Sequence, residues 1–339
     1  MKLWYLELNH YKALKNNSKY VRILFCVKRF PDHGFCCIFR ATLFRDGRPM
    51  PKTAPPDYAV IIPHYNDTVR LARCLGGLLA QDTRDVEILV ADNGSTESLD
   101  AVKAAFPGVR FVTETQKGAG PARNRGVAET TAPWLMFIDS DCVPAPDWLA
   151  VGRRIARPDM VIGGRVDVFD ETPPPRSGAE AFECVFAFHM KSYLEEKAFL
   201  GAGNLVVSRA VFERTGGFRP AVSEDVEWSQ RAARKGAVLA YDDAFVASHP
   251  SRSDWAALRH KWRRLASEGF QLDGASVRGR VKWGLKALAM PASILAHIPK
   301  ILRHKGLSSR DKARAIATLV RLRFARMGWM LGQAATGRP

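Results

Sequence analysis

The sequence predicts an α/β fold: a mostly parallel sheet sandwiched by helices, followed by a basic helical C-terminal extension. Three observations lead there. From Tyr58 onward, short β-branched apolar runs alternate with amphipathic segments, and such βαβα alternation folds as a mostly parallel sheet covered on both faces. Acidic and amide residues recur at the ends of those runs, where open sheets of this kind bind ligands. Charge is divided along the 339 residues: residues 1–52 carry a net +8, residues 53–249 a net −6 and residues 250–339 a net +15.

Residues 1–52 form a leader that is rich in Lys, Asn, Phe and Cys, unlike the rest. Its runs Tyr20–Phe30 and Phe35–Phe44 flank Pro31-Asp-His-Gly34 and read as a hairpin. A start at Met50 would instead make this leader a non-native extension, and Pro51–Asp57 is a linker on either reading. Tyr58–Ile62, ended by Pro63, has the length and branching of a buried strand. Arg70–Ala80 sets Leu71, Leu75, Leu78 and Leu79 on one helical face. Strand Val86–Ala91, helix Ser98–Phe106, strand Val109–Thr113, helix Ala122–Thr131 and strand Trp134–Ile138 follow. After Arg165 the pattern loosens: Pro173–Pro175 interrupts it, Ala179–Glu196 is one long amphipathic segment, and Asn204–Ser208 is a short strand. Glu224–Lys235 predicts a helix with acids in its first turn and Arg231, Arg234 and Lys235 in its last, as the macrodipole prefers. Short strands Val238–Tyr241 and Phe245–Ala247 lead to His249, which closes the acidic stretch 53–249.

In the basic region 250–339, Trp255, Leu258, Trp262 and Leu265 recur at helical spacing among Arg259, Lys261, Arg263 and Arg264. Val281–Leu302 mixes Trp283, Leu285, Leu288 and Ile294 with Lys282, Lys286 and Lys300. Basic amphipathic helices bearing tryptophan suit an anionic membrane surface; a helical subdomain packed on the core is the other reading. The longest uncharged apolar run, Ala287–Pro299, has 13 residues, where a spanning helix needs about 20. The expected location is cytoplasmic, peripheral at the inner face of the cell membrane. The six cysteines form no CxxC pair and no zinc spacing, and they read as free thiols. An acidic middle region is a poor nucleic-acid platform, so no nucleic-acid partner is expected.

The run ends carry Pro63-His-Tyr-Asn66, Asp92-Asn-Gly-Ser95 and Asp139-Ser-Asp141, while Glu224-Asp225 opens a helix and His249 follows an apolar strand. Singly, a turn, a helix cap or a structural histidine accounts for most of these. Asp139 and Asp141 are different. Two carboxylates two residues apart repel unless a cation joins them, and hard oxygen ligands with room for phosphate oxygens describe Mg2+ or Mn2+ rather than zinc. A cation there could clamp a diphosphate and neutralise it as it leaves.

The ordered set Pro63-x-Tyr-Asn66, Asp92-Asn-Gly-Ser95, Gly118-x-Gly-x-x-Arg-Asn124, Asp139-x-Asp141, Gly201-Ala-Gly-Asn204, Glu224-Asp225 and a late His249 closely resembles the family 2 glycosyltransferases over about residues 58–249. The resemblance implies a GT-A nucleotide-sugar fold and inverting transfer of a sugar from a nucleotide-diphosphate donor. It implies that Pro63 and Tyr65 line the base pocket, that Asp92 hydrogen-bonds the uracil or ribose, and that Arg123 supports the nucleotide. By the same resemblance Asp139 approaches the ribose or the metal, Asp141 is the direct metal ligand, and His249 joins the metal–diphosphate site. Asp225 resembles the general base. Its place at a helix N-terminus lowers its basicity while Glu224 beside it acts the other way, so the choice between the two carboxylates stays open with Asp225 favoured. Gly201–Gly203 permits close backbone approach to substrate, and Asn204 is expected to contact donor or acceptor.

A single displacement needs one base opposite the leaving group, and a metal on the diphosphate takes the place of a general acid. The expected function is glycosyl transfer to a glycan or lipid-linked acceptor in cell-surface polysaccharide or glycolipid synthesis. A nucleotidyltransferase using the same acid pair and a catalytically silent nucleotide-sugar-binding protein are the alternatives. A dinucleotide-binding module is excluded, since Pro63-His-Tyr-Asn66 stands where GxGxxG would.

Overall fold

The computed structural model describes residues 20–29, 35–45, 48–49, 56–220, 223–273 and 276–338. Strands β1 (Tyr20–Arg29), β2 (Phe35–Arg45) and β3 (Arg48–Pro49) make a small antiparallel sheet in which Tyr20 faces Phe44 and Arg29 faces Phe35. These are the two runs expected to pair as a hairpin. Their turn at 31–34, the alternative start at Met50 and linker residues 51–55 lie outside the described residues.

The main sheet begins with β4 (Tyr58–His64), α1 (Thr68–Leu79), β5 (Val86–Asp92), α2 (Asp100–Ala105), β6 (Arg110–Thr113), α3 (Ala119–Ala128) and β7 (Trp134–Ile138). These four strands are parallel, as their alternation with helices predicts. Then come β8 (Val143–Pro144), α4 (Trp148–Ile155), β9 (Met160–Phe169), α5 (Gly178–Phe186), α6 (Met190–Lys197), β10 (Asn204–Ser208), α7 (Arg209–Thr215), α8 (Glu224–Arg234) and β11 (Val238–Pro250). The eight strands lie in the order β6-β5-β4-β7-β10-β9-β11-β8. β10 is antiparallel to both β7 and β9, β11 is parallel to β9, and β8 is antiparallel to β11. The sheet is therefore parallel in its first half and mixed in its second.

Alternation along β4 decides which side each residue serves. Val60 and Ile62 join Leu71, Leu75 and Leu78 of α1 and Trp148 of α4 in one core. Ala59 and Ile61 join Val127 of α3, Phe212 of α7 and Trp228 of α8 in the other. Each leucine of α1 that is fully withdrawn from water contributes about 1.5–3 kcal/mol. The two cores clamp the strands in a fixed register and so fix where their carboxyl ends stand.

The sequence reading has no counterpart of β8, α4 or α7, and three further elements depart from it. No periodicity marks β9, because Gly163-Gly164 interrupts its apolar run; a Cβ on Gly164 would lie 1.9 Å from the Phe245 carbonyl oxygen. Segment 179–196 is two helices, broken where Phe188 adopts φ +55°. The two short strands expected at 238–247 are one, β11, with a register shift between Asp242 and Val246.

Helices α9 (Trp255–Asp273), α10 (Val277–Leu288), α11 (Ser293–Arg303) and α12 (Ser309–Thr336) complete the chain. Phe182 and Val185 of α5 share a core with Leu258, Ile301, Leu319 and Leu322, so the extension is packed onto the sheet domain through α5. The tryptophans expected at a membrane surface are packed in protein instead. Arg321 covers Trp255 at 4.1 Å, Arg326 covers Trp262 at 4.6 Å, and Trp283 is buried beside Phe270 with its Nε1 donating to Gln333 Oε1 at 3.0 Å. The helical extension covers its own aromatic face, with Trp262 Nε1 buried and unpartnered. Cys74, Cys142 and Cys184 are free thiols, as expected.

Candidate active site

Topology alone brings the singled-out residues to one edge. β4, β5 and β7 are parallel, so His64, Asp92 and Asp139 follow their carboxyl ends together. β10 runs the other way, so its first residue, Asn204, sits opposite Ile138 and the glycines before it face Asp139. β9 and β11 return to the first direction, which puts His249 at the same edge.

Arg123 is the centre of the acid cluster. Its Nη2 donates to Asp139 Oδ1 at 2.5 Å and its Nη1 to Glu224 Oε1 at 2.7 Å, with the guanidinium 5.6 Å above the Phe218 ring. Burial would push it down, but Asp139, Asp225 and Glu224 outweigh that and hold it above its usual value. With its side chain 4% exposed, Arg123 ties the two acid motifs together. Glu224 is likewise committed, because its Oε2 accepts the Gly120 amide at 2.7 Å. It fastens the glycine-rich turn to α8.

Asp225 has the opposite character. Its Oδ1 is sealed from solvent and has no hydrogen-bond partner. Burial pushes its carboxyl up to about 6; Arg123 opposes this, Glu224 and Asp139 add to it, and the Ala202 amide opposes it. Of the two carboxylates left open by the sequence, the geometry leaves Asp225 free.

Asp141 Oδ2 stands 3.1 Å from His249 Nε2. His249 Nδ1 donates to the Pro250 carbonyl at 2.6 Å, which leaves Nε2 as the atom facing Asp141. In the neutral tautomer both facing atoms are acceptors, so either a proton or a cation must lie between them. Burial would raise the Asp141 carboxyl, but His249, Arg252 and Arg70 hold it below the usual range. Among the described residues no group of three or more His, Cys, Asp or Glu closes a metal site alone. The pair fits a cation whose remaining ligands come from substrate oxygens.

On the other side of the cluster, Asp92 accepts from Ser95 Oγ, the Ser95 amide and His64 Nδ1 at 2.5, 3.1 and 2.9 Å. His64 Nε2 in turn accepts the Asp67 amide at 3.2 Å, which fixes the tautomer. Asn66, at φ +47°, accepts the Thr96 and Glu97 amides. The loops after β4 and β5 are thereby laced into one wall from which Tyr65 projects, 58% exposed, while Pro63 is buried below it.

Asn204 is hydrogen-bonded at both ends of its amide. Its Oδ1 accepts from Trp148 Nε1 at 2.8 Å, and its Nδ2 donates to the Arg165 and Phe245 carbonyls at 2.9 and 2.8 Å. Two residues with no role assigned from sequence also matter here. One is His64. The other is Glu183, buried on α5, which accepts from the Arg252 amide at 2.8 Å and from Lys261 Nζ at 2.6 Å. Lys261 lies 4.7 Å from the Phe188 ring centre, and that ring lies 4.7 Å from His249. An acid among Ala181, Phe182 and Val185 on an apolar helix face, three residues after Glu180, was the signal for Glu183.

Residues 59–216 match the family model described as "Glycosyl transferase family 2". The chain is 28% identical to glycosyltransferase AglE of Haloferax volcanii over 219 residues, covering 61% of this chain and 71% of that protein. It is 37% identical to a PGL/p-HBAD biosynthesis glycosyltransferase of Mycobacterium bovis strain BCG over 115 residues, 32% of this chain and 43% of that protein. It is 33% identical to the succinoglycan biosynthesis protein ExoO of Rhizobium meliloti over 31% of this chain and 30% of that protein. The chain thus spans less than half the length of the latter two. Among solved structures it is similar to the mannosyltransferase PcManGT from Pyrobaculum calidifontis in complex with GDP-Man and Mn2+, with a TM-score of 0.46 and 21% identity over 84% of this chain and 74% of that one. It is similar also to S. aureus TarS 1-349 in complex with UDP-GlcNAc, with a TM-score of 0.46 and 15% identity over 83% of this chain and 92% of that one. The segment that matches the glycosyl transferase family 2 model holds every motif from Pro63 to Gly203.

Proposed function

We propose that this chain is an inverting glycosyltransferase: it moves a sugar from a nucleoside-diphosphate donor to a hydroxyl acceptor in one displacement, with Asp225 taking the hydroxyl proton. The observation that carries this reading is the isolation of Asp225. Its Oδ1 is unpartnered, the Ala202 amide being its one backbone donor, whereas both oxygens of Glu224 are taken by Arg123 and the Gly120 amide. A carboxyl poised at about 6 is largely ionised near pH 7 and still basic enough to accept a proton.

Asp141 and His249 would hold a divalent cation, Mg2+ or Mn2+, together with oxygens of the donor diphosphate. When bound it would supply charge neutralisation to the departing nucleoside diphosphate. Asp139 and Asp92 would receive the ribose and base, with Tyr65 and Pro63 as the apolar wall. Arg123 and Glu224 keep Asp139 and the glycine-rich turn in place and act as positioning residues. The names of the relatives in succinoglycan and PGL/p-HBAD biosynthesis support a glycan or lipid-linked acceptor. No single described helix is long and apolar enough to cross a membrane, and we place the enzyme peripherally at the inner membrane face.

The test is a screen of UDP- and GDP-sugars with Mn2+ or Mg2+, with products read by mass and by NMR at the anomeric carbon. Addition of one sugar with inverted configuration is expected. Retained configuration would overturn the single displacement, and addition of a nucleotide would favour the nucleotidyltransferase reading. Gly203→Ala probes the packing of the site, since a Cβ there would lie 2.4 Å from Asp139 Oδ2. Asp139 must then leave Arg123, and turnover is expected to fall on the order of 10²-fold with little change in melting. Wild-type turnover in that variant would show that the position of Asp139 is immaterial.

A further inference from the structure

Helices α10 and α11 turn an aliphatic face outward that no described residue covers. Val277, Val281, Leu285 and Leu288 recur at helical spacing on one side of α10, and Leu295 and Leu302 are two turns apart on α11; all six are between 53% and 78% exposed. The opposite side of α10 carries Trp283 and Ala287, buried with Phe270 and Met330, while Ile301 of α11 is buried against α5 and α12. Both helices are thus anchored by their inner faces, and their outer faces carry exposed apolar stripes of the kind that mark an interaction surface.

The surroundings of those stripes carry one sign of charge. Arg278, Lys282, Lys300, Arg303 and Lys305 lie on or beside the same two helices, and no acidic residue occurs between Asp273 and Asp311; Arg280 and Lys286 are turned inward, to the Ala334 and Ala335 carbonyls and the Trp283 ring. Behind the bend, Arg323 of α12 reaches Met290 Sδ at 3.8 Å. Arg323 and Arg326 each have a buried Nε without a hydrogen-bond partner, and neither pairs with a carboxylate among the described residues. Burial pushes both guanidinium groups down, Arg326 to about 10. The core of a protein partner's footprint is normally depleted of lysine, whereas leucines interleaved with lysine and arginine complement acyl chains below a layer of phosphate. Together the two helices are long and apolar enough for a span bent by 52°, but their inner faces are buried against α5, α9 and α12, and it is the outer faces that are open.

We propose that the outer face of α10 and α11 is a monotopic docking surface for an anionic phospholipid bilayer, with the leucines entering the acyl boundary and the basic residues meeting headgroup phosphates. It gives the peripheral location proposed above a definite surface, and it replaces the tryptophans as the membrane-facing residues.

The test uses the full chain with vesicles of equal parts phosphatidylglycerol and phosphatidylcholine, and with phosphatidylcholine alone. Wild type is expected to sediment with the first, to be released in part by high salt, and to ignore the second. The double variant Leu285→Gln, Leu295→Gln should lower the bound fraction on the order of 10–100-fold, with unchanged circular dichroism because both side chains are exposed. Lys282→Gln with Lys300→Gln should lose the preference for anionic vesicles. Transfer to a short soluble acceptor, read alongside, should be unaffected by either pair, so a failure of docking is separable from a failure of the catalytic reading. A wild-type chain that ignores anionic vesicles, or a leucine variant that binds as wild type, overturns the proposal. A wild-type dimer that the leucine variant converts to monomer also overturns it and assigns the face to a second copy.

Discussion

Asp225→Asn is expected to lower sugar transfer by about 10²–10⁴-fold while leaving nucleotide-sugar affinity within a few-fold and raising the melting temperature. Loss of turnover follows from removing a carboxylate whose Oδ1 has no hydrogen-bond partner and can take a proton. The gain in stability follows from the sign of its shift. A carboxyl raised from 3.8 to about 6 binds protons more tightly in the folded than in the unfolded chain. Folding is therefore opposed by its ionisation, and stability falls as pH rises through the window from 3.8 to about 6. The asparagine variant does not ionise and escapes that penalty of about 1–3 kcal/mol, a rise in Tm of roughly 2–6 °C at neutral pH. For wild type, kcat/KM should climb with pH through a limb near 6, and that limb should vanish in the residual activity of the variant. A merely structural aspartate would give the reverse pattern: lower Tm, weakened donor binding and an unmoved pH limb.

What the sequence made legible, and what it hid, divides along one line. Strand ends were legible because runs such as Tyr58–Ile62 are apolar on both faces, so the polar residues after them had to lie at the sheet edge. The Asp139 and Asp141 pair was legible because adjacent like charges require a neutraliser. Partnerships were not. Whether Arg123 faces a nucleotide or a carboxylate depends on Glu224, 101 residues away. Whether Asn204 is a ligand or a strut depends on Trp148, 56 residues away. The tryptophans of the extension show the same ambiguity in another form. Helical spacing of Trp255, Trp262 and Trp283 fits a membrane face or a protein core equally well, and only the path of α12, which brings Arg321, Arg326 and Gln333 against them, decides for the core. The exposed aliphatic stripe of α10 was present in the same periodicity, offset by half a turn.

Asp141→Asn is expected to abolish transfer and to remove the cation dependence of donor binding while leaving the fold intact. His249 Nδ1 is held by the Pro250 carbonyl, so its Nε2 faces position 141 whatever residue stands there. An asparagine amide can donate to that nitrogen and satisfy the contact at 3.1 Å without any proton or ion between them. The local structure is therefore kept, and Tm without added metal should move by no more than a few degrees. What is lost is the anionic oxygen: a neutral amide is a poor ligand for a hard dication and no longer offsets the negative charge of the diphosphate. In wild type, Mn2+ with a nucleoside diphosphate should stabilise the chain by about 2.7 kcal/mol at a hundredfold excess over Kd, since a ligand of the folded state alone acts by mass action. In the variant that increment should disappear, which a thermal melt with and without Mn2+ reads directly and independently of turnover. His249→Ala should halve the same protein ligand set and give a partial version of both effects. Full activity of wild type in excess chelator, or wild-type turnover by Asp141→Asn, would leave the facing Asp141 and His249 as an ordinary ion pair closed by a proton.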